Sequence, residues 1–297
     1  MSDEGSAPSA EVDQFEANRR YLGAVAYRLL GSLTDAEDVL QEAWLRWRAV
    51  ERRQIADPRA YLSTVVTRLC YDQLGSARAR REAYFGEWLP EPLVAEEDSP
   101  AHRAELGESV SLAMLAVMEQ LSPAERAAFV LHDVFAVRFE EIAASLDRTP
   151  EAVRQLASRA RRRVRDGGRH GGVDPAEHRQ VVHAFAAATT SGDLEGLLAV
   201  LDPEVVWHSD GGGVVRAGAR PVHGADKVAR LVLGLMRRAF TPGSTASFAF
   251  ALVNGEPGMV FHETPGRIGG VLAFTVRAGR ITEAYIVVNP EKLTHLA

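Results

Sequence analysis

The chain has 297 residues, of which 46% are hydrophobic and 25% charged, an ordinary globular composition with room for two or three domains. No apolar run approaches the ~20 residues that cross a bilayer as a helix. The small, acidic stretch from Met1 to Ala10 lacks the basic and apolar parts of a secretory leader, so a cytoplasmic protein without a membrane partner is expected. A single cysteine, Cys70, excludes an internal disulfide framework and a cysteine-based metal cage; it sits in an apolar helical run and reads as a small core residue.

The net charge of −6 hides a strong asymmetry. Arg148 to Arg169 holds eight arginines against Glu151 and Asp166, whereas Glu82 to Glu108 holds eight acids against Arg103. A short basic block behind an acidic one says more about partners than the total does.

In chain order, residues 12–76 read as helices. Leu22, Val25, Ala26 and Leu29 recur at helical spacing. Thr34 with Glu37 makes a capping box for a second helix, and Asp57 with Pro58 starts a third. In the helix Asp35 to Arg48, Val39, Leu40, Ala43, Trp44 and Trp47 share one side. Asp38, Gln41, Glu42 and Leu45 share the other; a leucine pointing outward among carboxylates suggests a partner surface. Gly86 to Pro100 is rich in Pro and Glu, lacks periodicity and reads as a linker. A second helical block runs from about Glu108 to Arg165 and stops at the glycine-rich hinge Asp166 to Gly172.

The strongest motif lies at 139–158. Ile142, Ala143 and Leu146 form the inner face of one helix, and Val153 and Leu156 that of a second. Thr149 caps the second helix and Pro150 begins it. Asp147 stands at the turn, where it tolerates a left-handed backbone better than most residues. This is a helix-turn-helix, with Glu151, Arg154, Gln155 and Ser158 outward. Arg and Gln can make paired hydrogen bonds to guanine and adenine edges in the major groove. Arg159, Arg161, Arg162, Arg163 and Arg165 follow and could neutralise phosphates.

Beyond Val173 the pattern changes. Helical runs (Ala176 to Thr190, Leu194 to Leu201, Ala225 to Phe240) precede β-rich runs (Ser247 to Val253, Gly258 to Glu263, Gly270 to Arg277, Arg280 to Val288). Arg277-Ala-Gly-Arg280 reads as a hairpin turn. The order implies an α+β domain with a mostly antiparallel sheet. Its 11 basic and 12 acidic side chains provide no electrostatic reason to hold DNA. The domains are drawn at 12–85, 86–107 (the acidic linker), 108–168 and 173–297.

Asp35-Ala-Glu-Asp-Val-Leu-Gln-Glu-Ala-Trp-Leu-Arg-Trp47 resembles region 2 of extracytoplasmic-function (ECF) sigma factors. Leu121-Ser-Pro-Ala-Glu-Arg-Ala-Ala-Phe-Val-Leu131, with the helix-turn-helix, resembles region 4. Trp88-Leu-Pro-Glu-Pro-Leu93, Asp210-Gly-Gly-Gly213 and Asn289-Pro-Glu-Lys-Leu293 resemble motifs of the subgroup that carries a fused C-terminal SnoaL-like domain. Val214 departs from that subgroup, whose glycine motif continues with lysine.

The resemblance implies a multidomain fold: two all-α sigma modules, a region 2 helical bundle and a region 4 helix-turn-helix, followed by an α+β, cone-shaped SnoaL-like domain of the nuclear-transport-factor type. It implies that Asp38, Gln41, Glu42 and Leu45 dock on the clamp helices of the largest subunit of core RNA polymerase. Arg59, Tyr61, Arg68 and Asp72 would lie at the −10 promoter element, where Tyr61 either stacks on an unpaired base or serves as a core tyrosine. Arg78, Arg80 and Arg81 either touch phosphates or form a solvated helix end. Glu151, Arg154, Gln155, Ser158 and Arg159 would read the −35 DNA. The acidic linker would run along the RNA-exit path.

For the C-terminal domain two readings stand. In one, Trp88 and Pro90 of the linker, Asp210, Gly211, Gly212 and Gly213, and Asn289, Pro290 and Lys292 form an intramolecular regulatory contact; glycines permit close backbone approach. The alternative is a bifunctional protein whose domain turns over or senses a small molecule, with His208, Asp210, His262 and Glu263 as the available catalytic groups. The first reading is preferred, with no catalytic residue, cofactor or metal expected. A small apolar ligand in the pocket of the domain could act as a switch.

Overall fold

The computed structural model describes residues 7–50, 55, 57–82, 84–96, 110–167, 174–241 and 243–296. These form two compact units. One joins the residues up to Glu82 with Val117–Gly167; the other joins the segment after Ala83, as far as Ala116, with the residues that follow Gly168.

The first unit is helical. α1 (Ala7–Leu30) buries Phe15, Leu22, Val25, Ala26 and Leu29. It ends at Gly31, whose positive φ turns the chain. α2 (Leu33–Ala49) therefore starts earlier than Thr34 would place it: the cap is Ser32, extended, whose hydroxyl accepts from Asp35 N at 3.1 Å. Thr34 lies inside the helix, and Glu37, instead of closing a capping box, pairs with Arg19 of α1. Ala36, Val39, Leu40, Ala43 and Trp47 are buried, while Trp44 is half-buried against Phe15. α3 (Pro58–Glu82) begins as expected, with Asp57 accepting from Ala60 N, and buries Leu62, Val66, Cys70 and Leu74.

α4 (Leu112–Met118) and α5 (Pro123–Phe129) follow; a capping box of Ser122 and Glu125 begins the latter. A π-turn at Val130–Val134 leads into α6 (Phe139–Leu146) and α7 (Pro150–Gly167). Asp147 adopts the left-handed conformation (φ 51°, ψ 55°) and Thr149 Oγ1 accepts from Ala152 N. The inner face of α7 is Val153, Ala157, Ala160 and Val164; Leu156, assigned to that face, is only half-buried. Small alanines at the crossing let the two helices approach closely, which turns Leu156 toward the rim.

In the second unit, α8 (Pro175–Ser191), α9 (Leu194–Val200) and α10 (Ala225–Ala239) pack against a seven-stranded sheet. The strands are β1 (Val94–Glu96), β2 (Leu201–Asp210), β3 (Val222–His223), β4 (Ser247–Val253), β5 (Glu256–Thr264), β6 (Arg267–Arg277) and β7 (Arg280–Val287), in the order β1-β4-β5-β6-β7-β2-β3. Among the described residues only the β2–β7 pair is parallel. Ala278 and Gly279 both have positive φ, as a two-residue hairpin turn requires; Asn254 and Gly255 form a second such turn.

Strand alternation gives the sheet two apolar faces. Trp207, Met259, Leu272, Phe274 and Ala284 pack with α8, α9 and α10. Val260, Val271, Ala273, Tyr285 and Val287 pack instead with Leu89, Leu112, Ala113 and Leu293. Residues 84–96 of the expected linker fold onto this domain and contribute β1, which pairs with the edge strand β4 through Val94 and Val253. Leu112 and Ala113, near the start of the expected region 4, are also buried in this second core. Both apolar segments cover a sheet face that the C-terminal residues alone leave open. Residues 97–109 and 168–173, which include four of the eight acids of the expected run and most of the hinge, lie outside the described residues.

Two ionisable groups, buried His178 and half-buried Glu256, make this unit's stability pH-dependent in opposite directions. Burial holds His178 down to about 4, against a hydrogen bond to the Pro257 backbone. Its contribution is complete above about pH 6.5 and is lost as pH falls toward 4. Burial pushes Glu256 up to about 7. Its contribution is complete below its ordinary value near 4.5 and is lost as pH rises through 7. Near pH 5–6 the two slopes offset. Glu256→Gln is expected to raise stability at pH 8 by about 1–3 kcal/mol and to leave a profile that only falls with acid. Urea unfolding of the unit's transition at pH 5, 6, 7 and 8 checks this; parallel profiles for variant and parent would refute it.

Candidate nucleic-acid interface and linker clamp

On α7, Val153 and Ala157 turn inward, so Glu151, Arg154, Gln155, Ser158 and Arg159 all reach solvent on one helix face. Arg154 is occupied within the protein. It pairs with Glu151 at 2.7 Å and Glu140 of α6 at 3.1 Å, and lies over the Phe139 ring. Farther along, Arg161 pairs with Asp133 at 2.6 Å and Arg163 with Glu125 at 2.7 Å. Arg159, Arg162 and Arg165 are also exposed.

On α2, Asp38, Gln41, Glu42 and Leu45 are brought together on the exposed face. Leu45 is 57% exposed, an apolar side chain beside two acids and an amide. Glu42 also pairs with Arg46 one turn on.

The α3 residues do not form one free surface. Asp72 is exposed. Arg59 lies over the Tyr21 ring at 4.2 Å, and Tyr61 is half-buried, tilted against Trp47. Arg68 donates to the Ala144 and Ser145 carbonyls at 2.9 and 3.4 Å. Those carbonyls lie near the C-terminal end of α6, where partial negative charge favours a cation. Arg148 reaches Tyr71 Oη. Deeper in, Arg126 is 2% exposed; it pairs with Glu119 and donates to Arg28 O in α1. Nothing in local sequence marked Arg126, since its partners come from elsewhere in the chain. Arg78, Arg80 and Arg81 lie within α3, but their side chains are outside the described residues.

The remaining candidates converge in the second unit. Asp210 is fully buried and accepts four hydrogen bonds: from Tyr84 Oη (2.6 Å), Leu89 N (2.8 Å), Lys292 Nζ (2.7 Å) and Gly212 N (3.0 Å). Lys292 also donates to Leu89 O and lies 3.9 Å from the Trp88 ring centroid. Asn289 caps the turn Pro290–Lys292 and donates to Tyr84 Oη. Burial and the neighbouring Asp210 carboxylate push the Tyr84 phenol up, so it stays a donor. Gly212 has φ +65°, and a Cβ there would stand 2.5 Å from the Asn289 side chain. Gly211 has no room for a Cβ beside Val215 O, while Gly213 faces Phe85. Pro90 is buried; Pro290 is exposed and serves only to start its turn.

The sequence reading named the acid, the glycines and the lysine of this clamp, and Trp88 and Pro90 in the linker, but missed the polar partners there. Tyr84 and Glu87 are among these; Glu87 meets His208 Nδ1 at 2.6 Å. Asn254 was missed as well: it accepts from Leu93 N and donates to Val110 O, tying down both ends of the segment. The Asn-Gly turn was the one local signal available.

The four groups considered for catalysis are divided by the sheet. His208 and Asp210 face the linker, with His208 stacked on Tyr285. His262 and Glu263 line a cavity on the other face.

Three family models match the chain: Sigma-70 region 2 over residues 14–80, Sigma-70 region 4 over 111–164 and the SnoaL-like domain over 182–284. The chain is 45% identical to the ECF RNA polymerase sigma factor SigJ of Mycobacterium tuberculosis, over 96% of this chain and 93% of that protein. It belongs to the ECF RNA polymerase sigma factors. The crystal structure of M. tuberculosis SigJ superposes with a TM-score of 0.78 at 42% identity, covering 95% of this chain and 98% of that one. A probable ECF sigma factor from the same species, SigI, is 37% identical over 95% of this chain and 94% of its own length. Promoter-specific transcription initiation is the activity that the two sigma-70 modules support, and the SnoaL-like domain is fused to them.

Proposed function

We propose that this chain is the promoter-reading sigma subunit of a cytoplasmic RNA polymerase, and that its SnoaL-like domain restrains it in cis through the linker. The exposed α2 face of Asp38, Gln41, Glu42 and Leu45 docks on the clamp helices of the largest core subunit. Arg59, Tyr61, Arg68 and Asp72 of α3 serve the −10 element. Glu151, Arg154, Gln155, Ser158 and Arg159 of α7 serve the −35 element.

The clamp on Asp210 carries the regulatory reading. As an extended chain, the segment from Ala83 to Ala116 would reach up to about 110 Å. Held at Tyr84, Leu89, Leu93 and Val110, it has little reach. Promoter elements centred roughly 25 base pairs apart are about 85 Å apart at 3.4 Å per pair. The first unit instead has Arg68 of α3 on the carbonyls of α6. A chain in that state cannot read both elements, so initiation requires slack from the linker.

Run-off transcription with purified core polymerase tests this on a promoter found by selection. The full chain is expected to direct initiation, and Lys292→Ala to raise it severalfold by removing one of the two bonds that hold Leu89. No initiation by either would refute the sigma reading; equal initiation by both would refute restraint by the clamp.

A further inference from the structure

Arg154 is held by two kinds of contact. Its pairs with Glu140 and Glu151 join exposed side chains, so either carboxylate can give way to a base edge at little cost. Its contact with Phe139, the first residue of α6, is of another kind. The guanidinium carbon lies 5.5 Å from the centroid of that ring, inside the roughly 6 Å over which an aromatic face attracts a cation. Phe139 is half-buried, so a base edge that displaces the carboxylates leaves the ring in place.

The ring is itself fixed by the turn that precedes α6. His132 stacks on it, with centroids 3.8 Å apart and planes 25° apart. His132 Nδ1 lies 3.0 Å from Val137 O; a carbonyl accepts, so this nitrogen carries the proton and the imidazole plane is set. The π-turn at Val130–Val134 makes that bond possible. Ala136 N donates to His132 O and Val137 N to Leu131 O, while Ala136 takes φ +54° and brings Val137 back over His132. A π-turn and an alanine at positive φ are both uncommon, and such features concentrate at functional sites. The same turn reaches α7 a second time, where Asp133 pairs with Arg161.

We propose that Phe139 is a specificity-determining positioning residue: its ring, held by His132 of the π-turn, sets the plane of the Arg154 guanidinium for a guanine edge of the −35 duplex. Paired bonds to guanine O6 and N7 require the guanidinium to lie in the plane of the base pair. An arginine held in that plane beforehand has less rotamer freedom to lose on binding. A phosphate accepts from many directions and makes no such demand. Phe139 therefore acts on discrimination between sequences and not on general affinity for DNA. The proposal rests on the reading of Arg154 as a base contact.

The test uses the full chain with purified core polymerase, and matched and singly substituted −35 duplexes at several salt concentrations. Phe139→Leu keeps apolar bulk and removes the ring. It should lower the affinity ratio at the base pair read by Arg154 about two- to fivefold, the range of an exposed cation–ring contact, and leave the salt slope unchanged. Phe139→Tyr keeps the ring face and should retain the ratio. Phe139→Met covers the case in which the leucine variant fails to fold. In an Arg154→Ala background, Phe139→Leu should cost no further discrimination. In the free full chain, nitrogen relaxation at Arg154 Nε should show a more mobile guanidinium in Phe139→Leu than in the parent. A loss of the same size in both backgrounds, a ratio unchanged by Phe139→Leu and Phe139→Met, or an equally mobile guanidinium overturns the proposal while the reading of Arg154 stands. If Arg154→Ala leaves discrimination unchanged, that reading fails and this proposal falls with it.

Discussion

Asp210→Ala is expected to destabilise the C-terminal unit by about 3–5 kcal/mol, the cost typical of removing one partner from a buried ion pair. The Lys292 side chain is nearly as buried as the acid, at 7% exposure, and would lose its carboxylate partner while held beside Leu89 O and the Trp88 and Tyr84 rings. Leu89 N and Tyr84 Oη would lose their acceptor in the same step. Lys292→Met should cost less than Asp210→Ala. Methionine refills the apolar stem, and the carboxylate keeps three donors out of four. Denaturant unfolding of the unit measures both, with exchange at residues 84–93 reporting release of the linker. A loss below about 1 kcal/mol for Asp210→Ala would show that the cluster adds little beyond its packing.

Arg154→Ala is expected to weaken binding of the polymerase holoenzyme to its matched promoter by about 1–3 kcal/mol, roughly 5- to 150-fold, and to relax discrimination at one −35 base pair. The free protein holds Arg154 between Glu140 and Glu151. All three side chains are exposed, so little energy is spent in releasing it. Arg162→Ala makes the contrast. It should weaken all duplexes alike and lower the salt slope by about one unit, as a phosphate contact does. Titrations at several salt concentrations, with matched and singly substituted −35 duplexes, separate the two. A uniform loss across sequences for Arg154→Ala would move that residue from base reading to phosphate contact.

The elements most legible in sequence are those whose causes are local. The helix-turn-helix follows from Thr149, Pro150, Asp147 and the spacing of buried residues within about twenty positions, and the structure reproduces each except Leu156. The hairpin at Ala278-Gly279 is equally local. Two errors arose even at this range. Ser32 rather than Thr34 caps α2, because Gly31 had already turned the chain. β2 was not read as a strand, because Asp202-Pro-Glu204 breaks its start and His208, Ser209 and Asp210 make its end look polar. His208 is half-buried and Asp210 buried because the linker covers them.

Sequence by itself determined the modules, the outward faces of α2 and α7, and the motif residues Asp210, Asn289 and Lys292, since each depends on residues within a few turns or on a recognisable string. Only the tertiary structure decided what those residues touch. Tyr84, Glu87 and Leu89 meet partners more than a hundred positions away, and Arg68 meets carbonyls more than seventy positions on. The linker composition resembles that of a free segment, yet residues 84–96 are held, because their hydrogen-bonding and apolar partners come from the far end of the chain. Periodicity reports which face of an element is buried, while pairing across such distances is set by the packing of whole elements.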